Sequence, residues 1–371
     1  MSDIDRPSTI NSSLTCKGCG ALLHFAPGTR NLKCNYCGES NPIETDQTQR
    51  SIESVDYDHF IGSIDQNKKR DDMKVLNCTS CGSQTVLNPF DTSDKCSFCT
   101  APLVLSSQEG QQYLPPHYIL PFEINGQQAG DYFQKWLKGL WWAPNDLVRK
   151  VNSNSSSALQ GIYLPYWTFD TDTVTDYSGA RGDYYYTTES YSVNVNGKSE
   201  TRTRQVRHTR WSSASGSVDC SFEDLIVPAS KSLPDQTLTQ LEPWNFNLLV
   251  KFDERYLSGF RSQTYQIDPA QGLSIAIQQT EDEIRSVIMD DIGGDEQTIE
   301  SMDTEYLNKA IKYIMLPVWT SAYQYNDKTY QFTVNASTGE VIGQRPLSIV
   351  KIVLFVLMIL AIIALVWLFA G

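Results

Sequence analysis

Eight cysteines in this chain fall into one pattern used twice. Cys16, Cys19, Cys34 and Cys37 have the spacing C-x2-C-x14-C-x2-C, and Cys78, Cys81, Cys96 and Cys99 repeat it 62 residues later. Each Cys-x-x-Cys is expected to form a tight knuckle with both thiolates on one side. Two knuckles joined by a short hairpin then close a tetrahedral S4 site, with metal–sulfur distances of about 2.3 Å. Glycine follows the knuckle at Gly20, Gly38 and Gly82, where a positive φ costs it nothing, and Thr100 takes the fourth place.

Zinc is the metal expected at both sites, with iron and disulfides as the alternatives; a reducing cytoplasm disfavours the last of these. Four thiolates per ion leave no open position for water or substrate. Both sites are therefore expected to be structural, folding units of about 25 residues that are too small to bury a core of their own.

Other side chains with chemical potential are weaker candidates. Arg202, Arg204, Arg207 and Arg210, with His208 and Trp211, offer a basic strand that would suit nucleic acid, but Asp183 and Glu189 lie on strands able to pair with it. Asp170, Asp172 and Asp176 lack the order and the glycine of a calcium loop and are expected to be solvated. Cys220, the ninth cysteine, has no nucleophile context and reads as a small apolar residue. The four histidines, His24, His59, His117 and His208, are scattered singly. The chain contains no G-x-x-x-x-G-K-[ST], G-x-S-x-G or H-E-x-x-H motif, so no enzyme class is indicated.

The elements that would carry these residues are an α+β set. Residues 1–38 form zinc ribbon 1, 39–75 a polar linker with a short helix around Tyr57, Phe60, Ile61 and Ile64, and 76–105 zinc ribbon 2. Residues 113–346 form a β-rich α+β body. It is expected to hold a helix near Phe133, Trp136, Leu137 and Leu140, strands at 162–175, 182–189, 191–195 and 201–213, and a helix at 271–289. Asn196-Gly197 is a hairpin signal. Leu164-Pro165-Tyr166-Trp167-Thr168 is echoed by Leu316-Pro317-Val318-Trp319-Thr320, and a strand proline belongs at an edge or a strand start.

Residues 352–370 contain no charged or polar side chain and reach about 28 Å as a helix, close to the ~30 Å of a bilayer core. They are expected to span a membrane. Arg345 and Lys351 precede the span and no signal peptide precedes the body, which places residues 1–350 in the cytoplasm, in a tail-anchored layout. The formal charge of −13 repels nucleic acid and anionic lipid, and residues 281–305 hold ten acidic residues against one arginine.

The order of CxxC pairs, then GIYLPYWTFDTDT, YSGARGDYY, LIVPASKSLPD, LEPWNF, ERYLSGF, MLPVWTSAYQYNDKTYQFTVNASTGEVIGQRP and a terminal apolar helix, resembles bacterial double zinc-ribbon membrane proteins often labelled as relatives of primosomal protein N′, the replication-restart helicase. The segment 334–340 is also similar to the strand and turn of PepSY-type domains. The family resemblance implies zinc at the eight cysteines and a membrane location. For some members it implies an envelope-stress module that recruits proteins similar to phage-shock protein A. Helicase activity is not expected, because the phosphate-cradling loop is missing and a shared ribbon carries no activity. The function expected is a membrane-anchored scaffold or adaptor with its ribbons on a mobile arm. The alternative is a membrane-held nucleic-acid-binding ribbon protein.

Overall fold

The computed structural model describes residues 14–43, 52–66, 75–77, 84–86, 94–95, 102–103, 114–153, 159–195, 198–326 and 328–370. The first cysteine repeat builds a three-stranded antiparallel sheet of β1 (Leu23–Phe25), β2 (Asn31–Cys34) and β3 (Ser40–Pro42). β4 (Val55–Asp56) leads into α1 (Tyr57–Gln66), the short helix expected in the linker. Its Tyr57 and Phe60 are buried against Phe169 and Trp167 of the body. From the second repeat come two short pairs, β5 (Val75–Asn77) with β6 (Gln84–Val86), and β7 (Asp94–Lys95) with β8 (Pro102–Leu103). Cys78, Cys81, Cys96 and Cys99 lie outside the described residues.

The body is sheet-rich α+β. After β9 (Tyr118–Ile119) come α2 (Gly126–Gly139) and α3 (Leu147–Ser153), then β10 (Gln160–Val195) and β11 (Lys198–Pro228). α4 (Asp235–Gln240), β12 (Val250–Lys251), β13 (Arg261–Ser262) and the 24-residue α5 (Pro269–Ile292) precede β14 (Glu296–Tyr325). β15 (Lys328–Asn335), β16 (Val341–Gly343) and the apolar α6 (Ile349–Ala370) end the chain. One 11-stranded sheet joins most of these strands, with β14, β10 and β11 as its long antiparallel members.

The strands expected as separate pieces between residues 162 and 213 are thus two continuous strands of 36 and 31 residues. Gly179 and Gly182 look like breaks in the sequence, but they sit inside the ladder. A Cβ at Gly179 would collide with the Thr298 carbonyl oxygen, so the residue is glycine because a neighbouring backbone crowds it. Pairing closes at Val195 with Lys198, and the expected turn residues 196–197 lie outside the described set. The acidic run is divided, half ending α5 and half opening β14.

The two echoed prolines occupy matching places in adjacent strands, where Tyr163 pairs with Pro317 and Pro165 with Met315. Beside β10, β13 pairs with Ile162 and Tyr163, and β11 begins its pairing at Tyr166, so Pro165 falls in the gap between two neighbours. Beside β14, β9 pairs with Ile314 and Met315 and β15 begins at Val318, which leaves Pro317 in an equivalent gap. A missing N–H costs a strand nothing where its neighbours change over.

Sequence signals explain the helices. Asn125 caps α2 by accepting the Gln128 N–H at 3.0 Å, and the Gln128 side chain returns a bond to the Asn125 N–H at 2.9 Å. Asp268 caps α5 through the Gln271 N–H, Pro269 takes its first turn, and Gly293 at φ 65° ends it. Its buried row is Gly272, Ala276, Thr280, Ile284, Ile288 and Ile292, every fourth residue. Such a row winds obliquely around the helix and follows the twist of the strands below. The small members cross over Trp167 and Phe169, and the isoleucines pack with Tyr177, Val218 and Phe222. Each buried isoleucine contributes ~1.5–3 kcal/mol.

α6 contains the 19-residue stretch Ile349–Trp367, with mean hydropathy 3.3 and none of its residues buried. It is long and apolar enough to cross a membrane. Its first turn is tied to the loop after α2: the Lys351 ammonium donates to the carbonyls of Trp141 at 2.9 Å and Ala143 at 2.8 Å, and the Trp142 ring meets Phe355 edge-on at 5.1 Å.

Candidate metal centre and exposed arm

The first four cysteines converge as their spacing predicts. In the first knuckle the Cys16 N–H donates to the Ala21 carbonyl at 2.8 Å and the Cys16 carbonyl accepts the Gly20 N–H at 2.9 Å. The second repeats this with Cys34 N–H to the Glu39 carbonyl and the Gly38 N–H to the Cys34 carbonyl. Gly20 and Gly38 both take left-handed φ, 71° and 80°, where a side chain would strain the turn. Two equivalent loops thereby aim four sulfurs at one point.

The Cys16 and Cys37 sulfurs lie 3.5 Å apart, as do those of Cys19 and Cys34, and all four ligand atoms lie within 4.8 Å of one another. A tetrahedral S4 site with bonds of about 2.3 Å needs sulfurs about 3.8 Å apart, whereas a disulfide needs about 2.05 Å. The arrangement is compatible with a zinc ion. Cys16 and Cys34 are buried, Cys19 and Cys37 exposed, so the site has one inner and one outer flank.

Crowding also splits the thiols. The Cys34 thiol is drawn down to about 6, first by the Cys37 backbone N–H. The Glu39 N–H favours a thiolate at Cys37, but the sulfurs of Cys16, Cys19 and Cys34 outweigh it and push that thiol up to about 12. Thiols held this close compete for charge, and a dication resolves the competition by binding all four as thiolates.

The ribbon is fixed to the body, where a mobile attachment was expected. Cys16, Leu23, Phe25, Leu32 and Cys34 share one buried cluster with Phe122, Tyr163, Trp167 and Tyr256. The Phe25 N–H donates to the Ser258 carbonyl at 2.9 Å, and the Gly28 N–H to that of Phe122 at 2.8 Å. A unit this small gains its core by borrowing from a larger neighbour.

The arginines of the basic strand lie on β11 where the β10–β11 hairpin runs on beyond the end of β14 as an arm of two strands. They do not converge. Arg202, Arg204 and Arg210 share one face and Arg207 has the other. Arg204 pairs with Glu189 at 3.1 Å, directly across the ladder, and Arg202 with Glu200 at 3.5 Å. Arg207 lies over the Tyr184 ring at 4.2 Å and Arg210 over Tyr185 at 5.2 Å. Tyr185, Tyr186, Tyr191 and Trp211 of the arm are exposed.

Two groups depart from the solvated picture. Asp170 sits at a bulge of β10 and accepts from the Lys312 ammonium at 3.0 Å, and Asp224 approaches the same ammonium at 2.8 Å; Lys312 is 7 % exposed. Asp172 accepts from Asn308 at 2.8 Å and Ser221 at 2.7 Å. Sequence spacing carries no sign of either cluster, because the partners lie 49 to 142 residues away. Cys220 is half-buried, and burial raises its thiol.

No family model matches this chain, and no solved structure matches it. It is similar to "Uncharacterized protein YdjG" of Bacillus subtilis (strain 168), 24 % identical over 350 residues that cover 92 % of each chain. That name assigns no activity to either protein.

Proposed function

We propose that this chain is a membrane-tethered scaffold that recruits a protein partner, with no catalytic chemistry of its own. The observation that carries the reading is the separation of two exposed features along one sheet. The apolar α6 starts beside α2 and α3, and the exposed arm forms the far end of β10, 35 residues and about 115 Å of strand beyond Gln160. Tethering at one end and presenting a surface at the other raises a partner's effective concentration at the bilayer.

In this reading the body faces the cytoplasm, α6 is a single membrane span, and zinc fills two structural sites, the second made by Cys78, Cys81, Cys96 and Cys99. The resemblance to double zinc-ribbon membrane proteins points to a partner similar to phage-shock protein A, in an envelope-stress setting. A shape-specific protein contact suits the arm better than nucleic acid, since three of its four arginines already face a carboxylate or a tyrosine within one face and the fourth points away.

Proximity crosslinking from native membranes tests this, comparing the intact chain with R204E/R207E and with C16S/C34S. Recovery of specific proteins that vanish with the variants supports the scaffold. Recovery of nucleic acid that survives physiological salt overturns it.

A further inference from the structure

We propose that the outer edge of β10 from Tyr185 to Val193 pairs antiparallel with the same edge of a second copy of this chain. β14 lies along β10 from Gln160 to Gly182 and stops there, at Glu296. Beyond that point, among the described residues, no strand occupies this side of β10, while β11 fills the other side as far as Val195. Past Asp295, whose carboxylate holds the Tyr184 N–H at 2.7 Å, the outward N–H and C=O groups of Tyr186, Thr188, Ser190 and Ser192 are paired with no described strand, which leaves a lane of nine residues centred on Glu189.

The two edges of the arm differ in composition. The open β10 edge, residues 185–193, reads Tyr-Tyr-Thr-Thr-Glu-Ser-Tyr-Ser-Val: rich in tyrosine, threonine and serine, with one charge and no lysine, proline or glycine. β11, the opposite edge, carries Lys198, Glu200, Arg202, Arg204, Arg207 and Arg210. Proteins guard an exposed edge with charge or proline when nothing is meant to pair with it. Here β11 is guarded and β10 is not.

The lane also fits itself. Antiparallel strands related by a two-fold axis at its midpoint, Glu189, set Tyr185 opposite Val193 and Thr187 opposite Tyr191. The partner strand then takes the side of β10 that β14 and Asp295 leave open, so the sheet continues through both molecules in an isologous dimer. Glu189 would face its own copy, a like-charge contact in isolation. Each Glu189 already holds Arg204 at 3.1 Å on its own hairpin, so the contact is between two neutralised pairs. This inference rests on the arm's geometry alone, independently of the scaffold reading.

The test is the mass of the full-length chain in detergent, by light scattering with the detergent subtracted. In T188K/S190K, lysines stand opposite each other across the two-fold axis, and their neighbours on β11, Gln205 and Thr203, are uncharged. The control T201K/T203K puts the same charge on the same face of the guarded strand. The native chain and the control should contain two chains per particle and T188K/S190K one, all with equal zinc content. A monomeric native chain, a T188K/S190K variant that stays dimeric, or a control that dissociates equally overturns the proposal. Independently, a photo-crosslinking phenylalanine analogue at Tyr191 in native membranes should give a product of two chains. Products with other proteins alone would assign the lane to a different occupant and overturn it as well.

Discussion

The Ser258 hydroxyl donates to the Leu23 carbonyl over 2.5 Å, while the Ser258 carbonyl accepts the Phe25 N–H, so one body residue holds strand β1 of the ribbon from two directions. Leu23 and Phe25 are in turn packed with Cys16 and Cys34 in the shared core. A metal held by the four cysteines would therefore be coupled to body stability through that strand.

Loss of the metal should therefore be felt beyond the ribbon. Binding is worth ~10–16 kcal/mol in isolated zinc peptides, and C34S or chelation is expected to lower body stability by at least ~2 kcal/mol, or ~4–8 °C in melting temperature. Burying tryptophans such as Trp167 makes fluorescence a fitting readout. A body transition that stays in place after chelation would sink the linkage.

Lys312 sits between Asp170 and Asp224. Its replacement by methionine leaves two carboxylates facing each other and is expected to cost ~3–5 kcal/mol, with much of that returned in K312M/D170N/D224N. Burial lowers the Lys312 pKa, but the hydrogen bonds to Asp224 and Asp170 outweigh it and leave the value raised. A raised folded value means that the stabilisation is complete below the unfolded lysine pKa of about 10.4 and is lost as pH climbs through the folded one. Urea midpoints of the native chain should fall above pH ~10, and those of the triple variant should lack that component.

Two helix glycines are expected to respond with opposite signs. A Cβ at Gly272 would come 2.9 Å from Trp167 Cδ1, and that ring is fully buried and cannot yield. Gly272→Ala should lose up to ~2 kcal/mol, since overpacking costs ~1–3 and helix propensity returns ~1. At Gly130 of α2 the nearest neighbour is Leu159 Cδ1 at 3.7 Å, an ordinary contact. Gly130→Ala should gain up to ~1 kcal/mol. The denaturant midpoint of Gly272→Ala decides whether α5 lies as close to β10 as described, and that of Gly130→Ala whether α2 leaves the space described there.

Trp141 is 77 % exposed beside the first turn of α6, and its carbonyl holds Lys351. Tryptophan and lysine at the start of an apolar span are suited to the headgroup layer. In vesicles with lipids brominated near the headgroup, a fluorophore at position 141 should be quenched at least about twofold more than one at Tyr186 on the arm. Equal quenching would show that the loop after α2 does not rest on the bilayer.

How far these features were legible in the sequence follows from the range of each signal. The first S4 site was readable to the residue because Cys-x-x-Cys and its glycine act within five positions. The apolar helix was readable because nineteen side chains repeat one property. The 36-residue strand was not, because a glycine inside a ladder and a glycine at a turn are the same letter, and Thr298, which makes Gly179 necessary, lies 119 residues further on. That Glu189 lies on a strand able to pair with the arginines was legible from the strand pattern, though not that Arg204 is its partner or that Asp183 pairs with Arg181 instead; Lys312 between Asp170 and Asp224 left no sign. The docking of the ribbon on Ser258 depends on two segments 235 residues apart and left no local trace.

The antiparallel ladder of β10 with β14 has a mechanical consequence. If the scaffold reading holds, a partner pulls the arm through the Val195 end of β10, and α6 is reached through the opposite end of β14 by way of β15 and β16. A tension between tip and bilayer therefore acts along both strands in opposite senses. It loads the rungs from Gln160 with Thr320 to Gly182 with Glu296 in shear, all together, where peeling would break them one at a time. In that reading the sheet would carry force from a partner gripping the arm to the bilayer around α6.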